Sequence, residues 1–189
     1  MLKFKGKFNL LLTIVLVVIF VFFVSVSAYS YVLSKSPLVG ERYYPYYNNV
    51  SVKITSTSTA VISAFNSAML DWSYSILQVN ISPLSTSTNK LYDIYDGGNA
   101  ARGQLLYSSL SGKEHFLQFD IWINTSFPSG PTGYSPYTYY RSTANHEFGH
   151  VLGLAHTSGS VIMNTSRNLG TIYEPKTDDI NGVKDNYYL

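Results

Sequence analysis

The sequence predicts an α+β fold, and three features of the chain support this prediction. A short alternating segment near residue 50 is followed by a long amphipathic helix pattern. Several strand candidates come next, and two further helix patterns close the chain. The sequence has no internal repeat and no second hydrophobic block after the N-terminal one, so residues 42–189 are expected to form one domain of ordinary size.

The first strand is predicted at residues 50–55, where VSVKIT alternates and is rich in β-branched side chains. Serines and threonines at 56–59 can cap the helix that follows. That helix is predicted from apolar residues at spacings of three and four, namely Ala60, Val61, Ala64, Phe65, Ala68, Met69 and Trp72. Such a stripe is typical of a helix that packs into the core.

Four strand candidates follow the first helix. Short strands are predicted at 77–81, 91–95 and 104–107, and a stronger one at 116–124. Turns rich in Gly, Ser, Pro and Asn separate them. The Pro- and Gly-rich segment 126–140 is predicted to be a loop that leads into the next helix.

The next helix begins the most informative part of the chain, residues 146–156, which read HEFGHVLGLAH. His146 and His150 are four residues apart, so on a helix they point the same way and can bind one metal ion. If the helix continued, His156 would lie roughly 15 Å along the axis and out of reach. Gly153 can take the left-handed conformation that ends a helix and reverses the chain, so that His156 can arrive as third ligand.

Three protein ligands leave a fourth tetrahedral position for water, which is the arrangement of a catalytic zinc site. Zinc lowers the pKa of bound water to about 7, and an adjacent carboxylate can take the proton of that water and pass it to a leaving amine. The sequence therefore predicts one catalytic Zn²⁺ held by His146, His150 and His156, with Glu147 as general base. The alternative, histidines brought together by accident, is disfavoured because the chain has only four histidines.

This segment resembles the signature HExxHxxGxxH of the metzincin metallopeptidases, in which a methionine turn follows. Met163 lies seven residues past His156 and matches that turn. The resemblance implies that Met163 is a packed floor beneath the zinc, whereas the residues alone would make it core filling. Thr157 is nearest to the serine of matrixins, and Thr165 stands where astacins have a tyrosine ligand. The sequence is therefore similar to a matrixin, or matrix metalloproteinase-like, catalytic domain.

The end of the chain, PKTDDINGVKDNY, resembles the last helix of a matrixin catalytic domain. Thr177 is its predicted N-cap, and Asp178 and Asp179 lie at the positive end of the helix dipole. The buried stripe of this helix is predicted to contain Ile180, Val183 and Tyr187. The resemblance implies that one of the two aspartates hydrogen-bonds the backbone beneath the methionine turn; the alternative is that both are capping charges.

The resemblance implies a zincin or metzincin-like architecture. It consists of a twisted, mostly parallel five-stranded sheet with two long helices, the methionine turn and a C-terminal helix. In that family the antiparallel edge strand borders the cleft and pairs with the substrate backbone, and residues 104–107 are the candidate for this strand.

The resemblance also implies that residues 164–175 wall the pocket for the residue after the scissile bond. The large apolar side chains of this segment, Leu169, Ile172 and Tyr173, predict an apolar pocket that prefers a hydrophobic residue. Arg167 is the one basic residue of the segment. If Arg167 reached into the pocket, it would select acidic residues instead.

The N-terminus indicates export. Three lysines precede an apolar run from residue 10 to 26, broken only by Thr13 and Ser25. A cleavage site after Ala28 would make residues 1–28 a signal peptide; the alternative is an uncleaved anchor, since the run spans roughly 25 Å. Both alternatives place the catalytic part outside, secreted or anchored. Residues 29–41 are a linker or short remnant, and 42–189 the catalytic domain.

Charge and cysteine content exclude several partners. Thirteen basic residues less Lys3, Lys5 and Lys7 leave ten against eleven acidic residues, so the exported domain is nearly neutral. It has no basic patch or nucleic-acid motif, and no nucleic-acid partner is expected. The chain has no cysteine, which excludes disulfides and a propeptide thiol that could block the zinc. We expect a monomer that binds a polypeptide substrate and contacts a membrane only if the N-terminal segment stays attached.

Three aspartates and one histidine are the candidates for a second metal site. Asp93, Asp96 and Asp120 lie near strand ends, where they could bind Ca²⁺, although no loop has a diagnostic calcium spacing. His115 is the only histidine outside the motif and cannot by itself form the structural zinc site seen in matrixins.

The chain is thus predicted to be an exported zinc endopeptidase. Two alternatives remain open: a non-catalytic surface or binding protein with a metzincin fold, and a zinc amidase acting on cell-wall peptides. No ligand or base of the motif is missing, which favours an enzyme over the binding protein. The amidase would use the same chemistry, so the sequence does not separate it from the endopeptidase.

Overall fold

The computed structural model describes residues 42–43, 49–97, 103–111, 115–126 and 135–187. The predicted export segment at 1–28 and the linker at 29–41 lie outside these residues. Within the described ranges, no helix is both long enough and apolar enough to cross a membrane.

The described strands form one sheet. They are β1 Arg42–Tyr43, β2 Asn49–Ile54, β3 Asn80–Pro83, β4 Lys90–Ile94, β5 Gly103–Ser111 and β6 His115–Asn124. Parallel pairs connect β1, β6, β4, β2 and β3 in that order, and β5 pairs antiparallel with β6. The mostly parallel sheet is as predicted, but the count of five strands is wrong, because the two-residue β1 is too short to show alternation.

The first helix, α1, spans Thr59–Ser75. Its N-cap is Ser58, whose side chain accepts a hydrogen bond from Val61 N at 3.5 Å. The predicted apolar stripe is buried except for Ala60, which packs at its margin. The strand predicted at 77–81 starts three residues later, at Asn80. Backbone bonds from Ile76 N to Trp72 O and from Val79 N to Ile76 O extend the helix end into a turn.

The second helix, α2, spans Pro136–Val151, so the prediction of a loop as far as residue 140 is wrong. Proline is well suited to the first turn of a helix, because its missing N–H would have no helical partner there. Tyr139 and Tyr140 are therefore helical and buried, with 0% and 3% of their surface exposed. Helix α2 packs on α1, where Phe65 meets Phe148 edge to face at 6.5 Å.

The last helix, α3, spans Thr177–Tyr187. Its N-cap is Lys176 rather than the predicted Thr177, because Ile180 N donates to Lys176 O at 3.0 Å. Asp179 accepts a hydrogen bond from Lys176 N at 2.8 Å, as the third residue of a capping box does. Val183 is fully buried and Ile180 packs against the core, while the side chain of Tyr187 lies outside the described part of the chain.

Candidate active site

Three histidine side chains converge at the C-terminal end of α2. The Nε2 atom of His156 lies 3.1 Å from Nε2 of His146 and 3.1 Å from Nε2 of His150. All three ligand atoms lie within 4.8 Å of one another. A tetrahedral zinc with bonds of about 2.1 Å places its ligand nitrogens roughly 3.4 Å apart, so the two shorter spacings are close to those of this ion. Within the described ranges, no other group of three histidine, aspartate or glutamate side chains gathers in this way.

The turn that brings His156 back is built at the end of α2. Gly153 has φ 87°, in the left-handed region that favours glycine. Gly153 N donates to His150 O at 2.9 Å, and Leu154 N donates to Gly149 O at 2.9 Å. These two bonds define a Schellman motif, which satisfies helix carbonyls while the chain changes direction.

The outer ring nitrogens of two histidines fix the orientation of the cluster. His150 Nδ1 donates to Leu154 O at 2.8 Å, and His146 Nδ1 lies 2.8 Å from Ile162 O. Arg167 Nη1 is also 3.1 Å from His146 Nδ1, but the contact to Ile162 O is the shorter one, and a neutral imidazole that offers its Nε2 lone pair to a metal carries its proton on Nδ1. We therefore place the Nδ1 proton on the bond to Ile162 O. The lone pairs of both Nε2 atoms then face the metal position.

The surroundings keep these imidazoles neutral. Burial, followed by the positive charge of Arg167, lowers the pKa of His146 to about 2. Burial also lowers the pKa of His150 to about 4, and it lowers the pKa of the more exposed His156. Neutral imidazoles are the form that binds metal, so the ligand set is ready at neutral pH.

The methionine turn contacts the histidine segment, since Ile162 O lies 2.8 Å from His146 Nδ1 and Met163 O accepts from Thr157 N at 3.2 Å. Met163 is 1% exposed, and its sulfur lies where a Cβ of residue 149 would be if that residue were not glycine. Gly149 was not singled out by the sequence prediction. A glycine in a helix interior costs about 1 kcal/mol relative to alanine, which was the available signal that something packs closely there.

Asp179 connects α3 to the methionine turn. Its two carboxylate oxygens accept hydrogen bonds from Ile162 N at 2.9 Å and Met163 N at 3.2 Å. Burial raises the pKa of Asp179, and the backbone N–H groups oppose this shift. Of the two adjacent aspartates, Asp179 is thus both the capping residue of α3 and the support of the turn, while Asp178 lies beside it in the first turn of α3.

Glu147 follows the first ligand on α2 and is 5% exposed. Its charge interacts electrostatically with the Arg167 guanidinium. Burial lowers the pKa of Arg167 to about 10, while Glu147 and Asp179 oppose this shift, so the guanidinium stays charged at neutral pH. The site therefore combines neutral imidazoles with a buried acid and a partly buried cation.

The predicted pocket residues are divided between two surroundings. Leu169 and Ile172 are partly buried and pack against the hydrophobic core. The ring of Tyr173 lies under the guanidinium carbon of Arg141, 5.0 Å from its centroid. Ile172 O accepts from Ser142 Oγ at 2.7 Å, which ties the segment to α2.

A polar network beneath the segment was not predicted from the sequence. Arg141 donates to Asp71 at 2.9 and 2.6 Å and to Glu174 at 2.6 Å. Asn145 Nδ2 donates to Asp71 and to Tyr173 O, both at 2.7 Å. These residues join α1, α2 and the segment after the methionine turn, and their separation of up to 74 positions leaves no pattern in the sequence.

The structure does not support the calcium alternative. Asp96 is hydrogen-bonded with Asn124 and Ser126, at 2.7 and 3.2 Å, and Asp120 accepts from Lys90 N at 2.9 Å. These two carboxylates take part in hydrogen bonds near the two ends of β4, and Asp93 forms no metal-binding group with them within the described ranges.

Residues 49–188 match the family model of the matrixins. The chain belongs to the matrixin family. The predicted relationship to the matrixins is thereby confirmed, and so is the assignment to the zinc metalloproteases. The predicted α+β fold with its mostly parallel sheet is confirmed as well. No curated protein is a significant match to the sequence.

Two solved structures are similar in fold. One is high choriolytic enzyme 1, a hatching-enzyme zinc protease from the medaka fish Oryzias latipes, with 12% identity and a TM-score of 0.47; 84% of this chain and 98% of that chain are covered. The other is myroilysin, with 15% identity and a TM-score of 0.48, covering 77% and 82%. Both scores are low, so the assignment to the matrixins rests on the family match.

Proposed function

We propose that this matrixin is an endopeptidase that hydrolyses peptide bonds with one zinc ion and with Glu147 as general base. The observation that carries the proposal is the convergence of three neutral imidazole Nε2 atoms beside a buried carboxylate. His146, His150 and His156 would hold the zinc, which when bound polarises a carbonyl and lowers the pKa of a water molecule to about 7.

The residues around the proposed zinc position have separate roles in this reaction. The carboxylate of Glu147 accepts a proton from the attacking water and later delivers it to the leaving amine. Ile162 O and Leu154 O hold the imidazoles in the tautomer that leaves Nε2 free. Gly149 and Met163 keep the floor of the site closely packed, which limits movement of the ligands.

Substrate binding is proposed to use the edge of the sheet. Strand β5 is antiparallel to β6, and among the described strands β6 is its only partner. An extended peptide can add to such an edge through main-chain hydrogen bonds, which do not depend on the side chains of the substrate. Mostly sequence-independent binding of this kind suits an enzyme that cleaves within polypeptides.

The proposal includes export of the catalytic domain. Lysines before a long apolar run are the feature that supports it. Expression of the full chain, followed by fractionation and N-terminal sequencing of the product, tests this part. A new N-terminus at Tyr29 identifies a cleaved signal, whereas an intact N-terminus in the membrane fraction identifies an anchor. Full-length protein that remains in the cytosol would contradict export.

The function itself is tested with a glutamate pair. We expect Glu147→Gln to keep zinc but to lose roughly 10²- to 10⁴-fold in kcat, because the amide cannot take a proton. Glu174→Gln is the matched control, since Glu174 is a partly exposed glutamate in the segment after the methionine turn. The assay measures cleavage of quenched fluorescent peptides and casein, with zinc content determined on the same samples.

Two results of this assay would contradict the proposal. Wild-type protein with a full zinc complement that cleaves none of the polypeptides would favour the non-catalytic scaffold, or the amidase if cell-wall peptides are hydrolysed instead. Full activity in Glu147→Gln would exclude Glu147 as the base.

A further inference from the structure

Arg167 is a cation whose described contacts are all with neutral groups. Its Nε donates to Ser142 Oγ at 2.9 Å, and its Nη2 donates to Ser142 O at 3.0 Å. Nη1 donates to Asn164 O at 3.1 Å. Among the described residues, no carboxylate forms an ion pair with Arg167 within 4.0 Å.

This arrangement leaves a charge without a close counter-ion. A charge withdrawn from water is costly unless it is paired. Glu147 and Asp179 attract Arg167 only from a greater distance. The Asp179 carboxylate is already hydrogen-bonded by three backbone N–H groups, from Ile162, Met163 and Lys176. A bound anion would complete the surroundings of the guanidinium.

One N–H group of Arg167 remains for such an anion. A guanidinium carries five N–H groups, and three of them donate to Ser142 and Asn164. Nη1 also faces His146 Nδ1, but that nitrogen donates its own proton to Ile162 O and cannot accept. Nη2 therefore keeps one N–H with no described partner, and this N–H can donate a charge-assisted hydrogen bond to a carboxylate.

The guanidinium is also close to the reacting centre. Nη1 lies 3.1 Å from Nδ1 of the ligand His146, which puts it within about 7 Å of a zinc bound at Nε2. Arg167 remains partly exposed, and it belongs to the segment that follows the methionine turn. A carboxylate side chain next to the scissile bond spans a distance of this size.

We propose that Arg167 selects peptides that carry Asp or Glu immediately after the scissile bond, by pairing with that carboxylate. This inference rests on the proposed peptidase function. The apolar residues that predict the opposite selectivity have other contacts, because Leu169 and Ile172 pack against the core and Tyr173 lies under Arg141.

The first test compares matched peptides on the zinc-loaded wild-type protein. Peptides that differ only by Glu against Gln, or Asp against Asn, after the scissile bond are synthesised with amidated C-termini. We expect kcat/KM to be at least about tenfold higher for the acidic member, since its charge-assisted pair with Arg167 is lost in the amide. In a second set of peptides, the residue after the scissile bond is the last one. It carries a free C-terminal carboxylate and a side chain that is not acidic.

The second test uses variants of the same protein. Arg167→Met should bring the Glu-to-Gln ratio close to one, and Arg167→Lys should give an intermediate ratio, because lysine keeps the charge but not the planar fork. Lys53→Met is the matched control, since it removes one exposed positive charge from β2 and should leave the ratio unchanged. If Arg167→Met does not fold, the Glu-to-Gln ratios of the wild type and of Arg167→Lys test the role of Arg167.

The outcomes separate this inference from the proposed function. Equal cleavage of the acidic and amide peptides by wild type, or an unchanged ratio in Arg167→Met, would overturn the role of Arg167 while leaving a peptidase. Preference only for the peptides with a free C-terminal carboxylate would also overturn it. That result would show that Arg167 binds the C-terminus of the substrate instead of an acidic side chain. Absence of all cleavage would overturn the peptidase function itself.

Discussion

Residues 146–156 and residues 164–175 both border the candidate active site, but they are held in place in different ways. In the first segment the contacts that orient the ligands span fewer residues: His150 Nδ1 bonds Leu154 O, four residues away, and His146 Nδ1 bonds Ile162 O, sixteen residues away. In the second segment Ser142 and Asn145 hold Ile172 and Tyr173 from 30 and 28 residues away. The chemistry of the site thus depends mainly on local geometry, and the shape of its pocket on tertiary contacts.

The largest expected effect comes from removing a ligand in the first segment. His156→Gln should weaken zinc binding by more than 100-fold and abolish cleavage, because loss of even an outer-shell partner costs about 10- to 100-fold. His156 is exposed, so folding should be preserved. Zinc affinity measured by competition with a chelator checks this prediction. The exposed neighbour change Ser158→Ala should have no effect, and normal zinc affinity in His156→Gln would contradict the ligand set.

The second prediction concerns the floor shared by the two segments. Gly149→Ala would place a Cβ against the Met163 sulfur, and overpacking of this kind costs about 1–3 kcal/mol. Urea unfolding of the metal-free protein measures the free energy of unfolding. The double variant Gly149→Ala/Met163→Ala should lose less than the sum of the two single changes, because the clash is removed. Additive losses would show that the close contact has no energetic role.

The third prediction follows from the lowered pKa values of His146 and His150. In the metal-free protein these groups stay neutral when folded, whereas in the unfolded chain they bind protons below a pKa of about 6.5. Stability should therefore fall as the pH drops from 6.5 toward 4, by up to about 1.4 kcal/mol per pH unit for each histidine.

Urea unfolding at pH 7.0, 6.0 and 5.0 after chelation checks this pH dependence. The variant His146→Gln/His150→Gln is the control and should show a smaller change. An identical change in both proteins would assign the effect to other groups.

The smallest effect is expected in the network beneath the second segment. Asp71→Asn removes the charge that Arg141 and Asn145 share, but Arg141 keeps Glu174 as a partner. We expect a loss of about 1 kcal/mol in the free energy of unfolding, in the range of a partly exposed ion pair. Zinc affinity should not change, while the relative rates on different peptides should. A lower zinc affinity would show that the two segments are not separable.

The same contrast explains how far the sequence could predict the molecule. The α1 stripe from Val61 to Trp72 and the strand at 116–124 have periodic patterns, and both elements are present. The ligand set could be predicted because the spacing of four fixes His146 and His150 on one helix face, and Gly153 identifies the turn. The start of α2 was missed because Pro136 was interpreted as part of a loop, although proline fits a first helical turn.

The pocket could not be predicted in the same way. Arg141, Asp71 and Glu174 form a network only after the chain has folded, and no spacing connects them beforehand. The sequence shows three large apolar residues in 164–175, but it could not show that Leu169 and Ile172 pack against the hydrophobic core. The direction of the Arg167 side chain is likewise decided in part by its hydrogen bond to Ser142, 25 residues away.

The most direct test of the central claim is a zinc titration of metal-stripped wild-type protein, with peptide hydrolysis and bound zinc measured on each sample. The three-histidine site predicts that the rate rises in proportion to bound zinc and reaches a plateau at one equivalent. Chelator should abolish the activity, and zinc should restore it. Hydrolysis by the metal-free protein, or a fully loaded single site with no hydrolysis, would contradict the proposal that these three histidines form the catalytic centre.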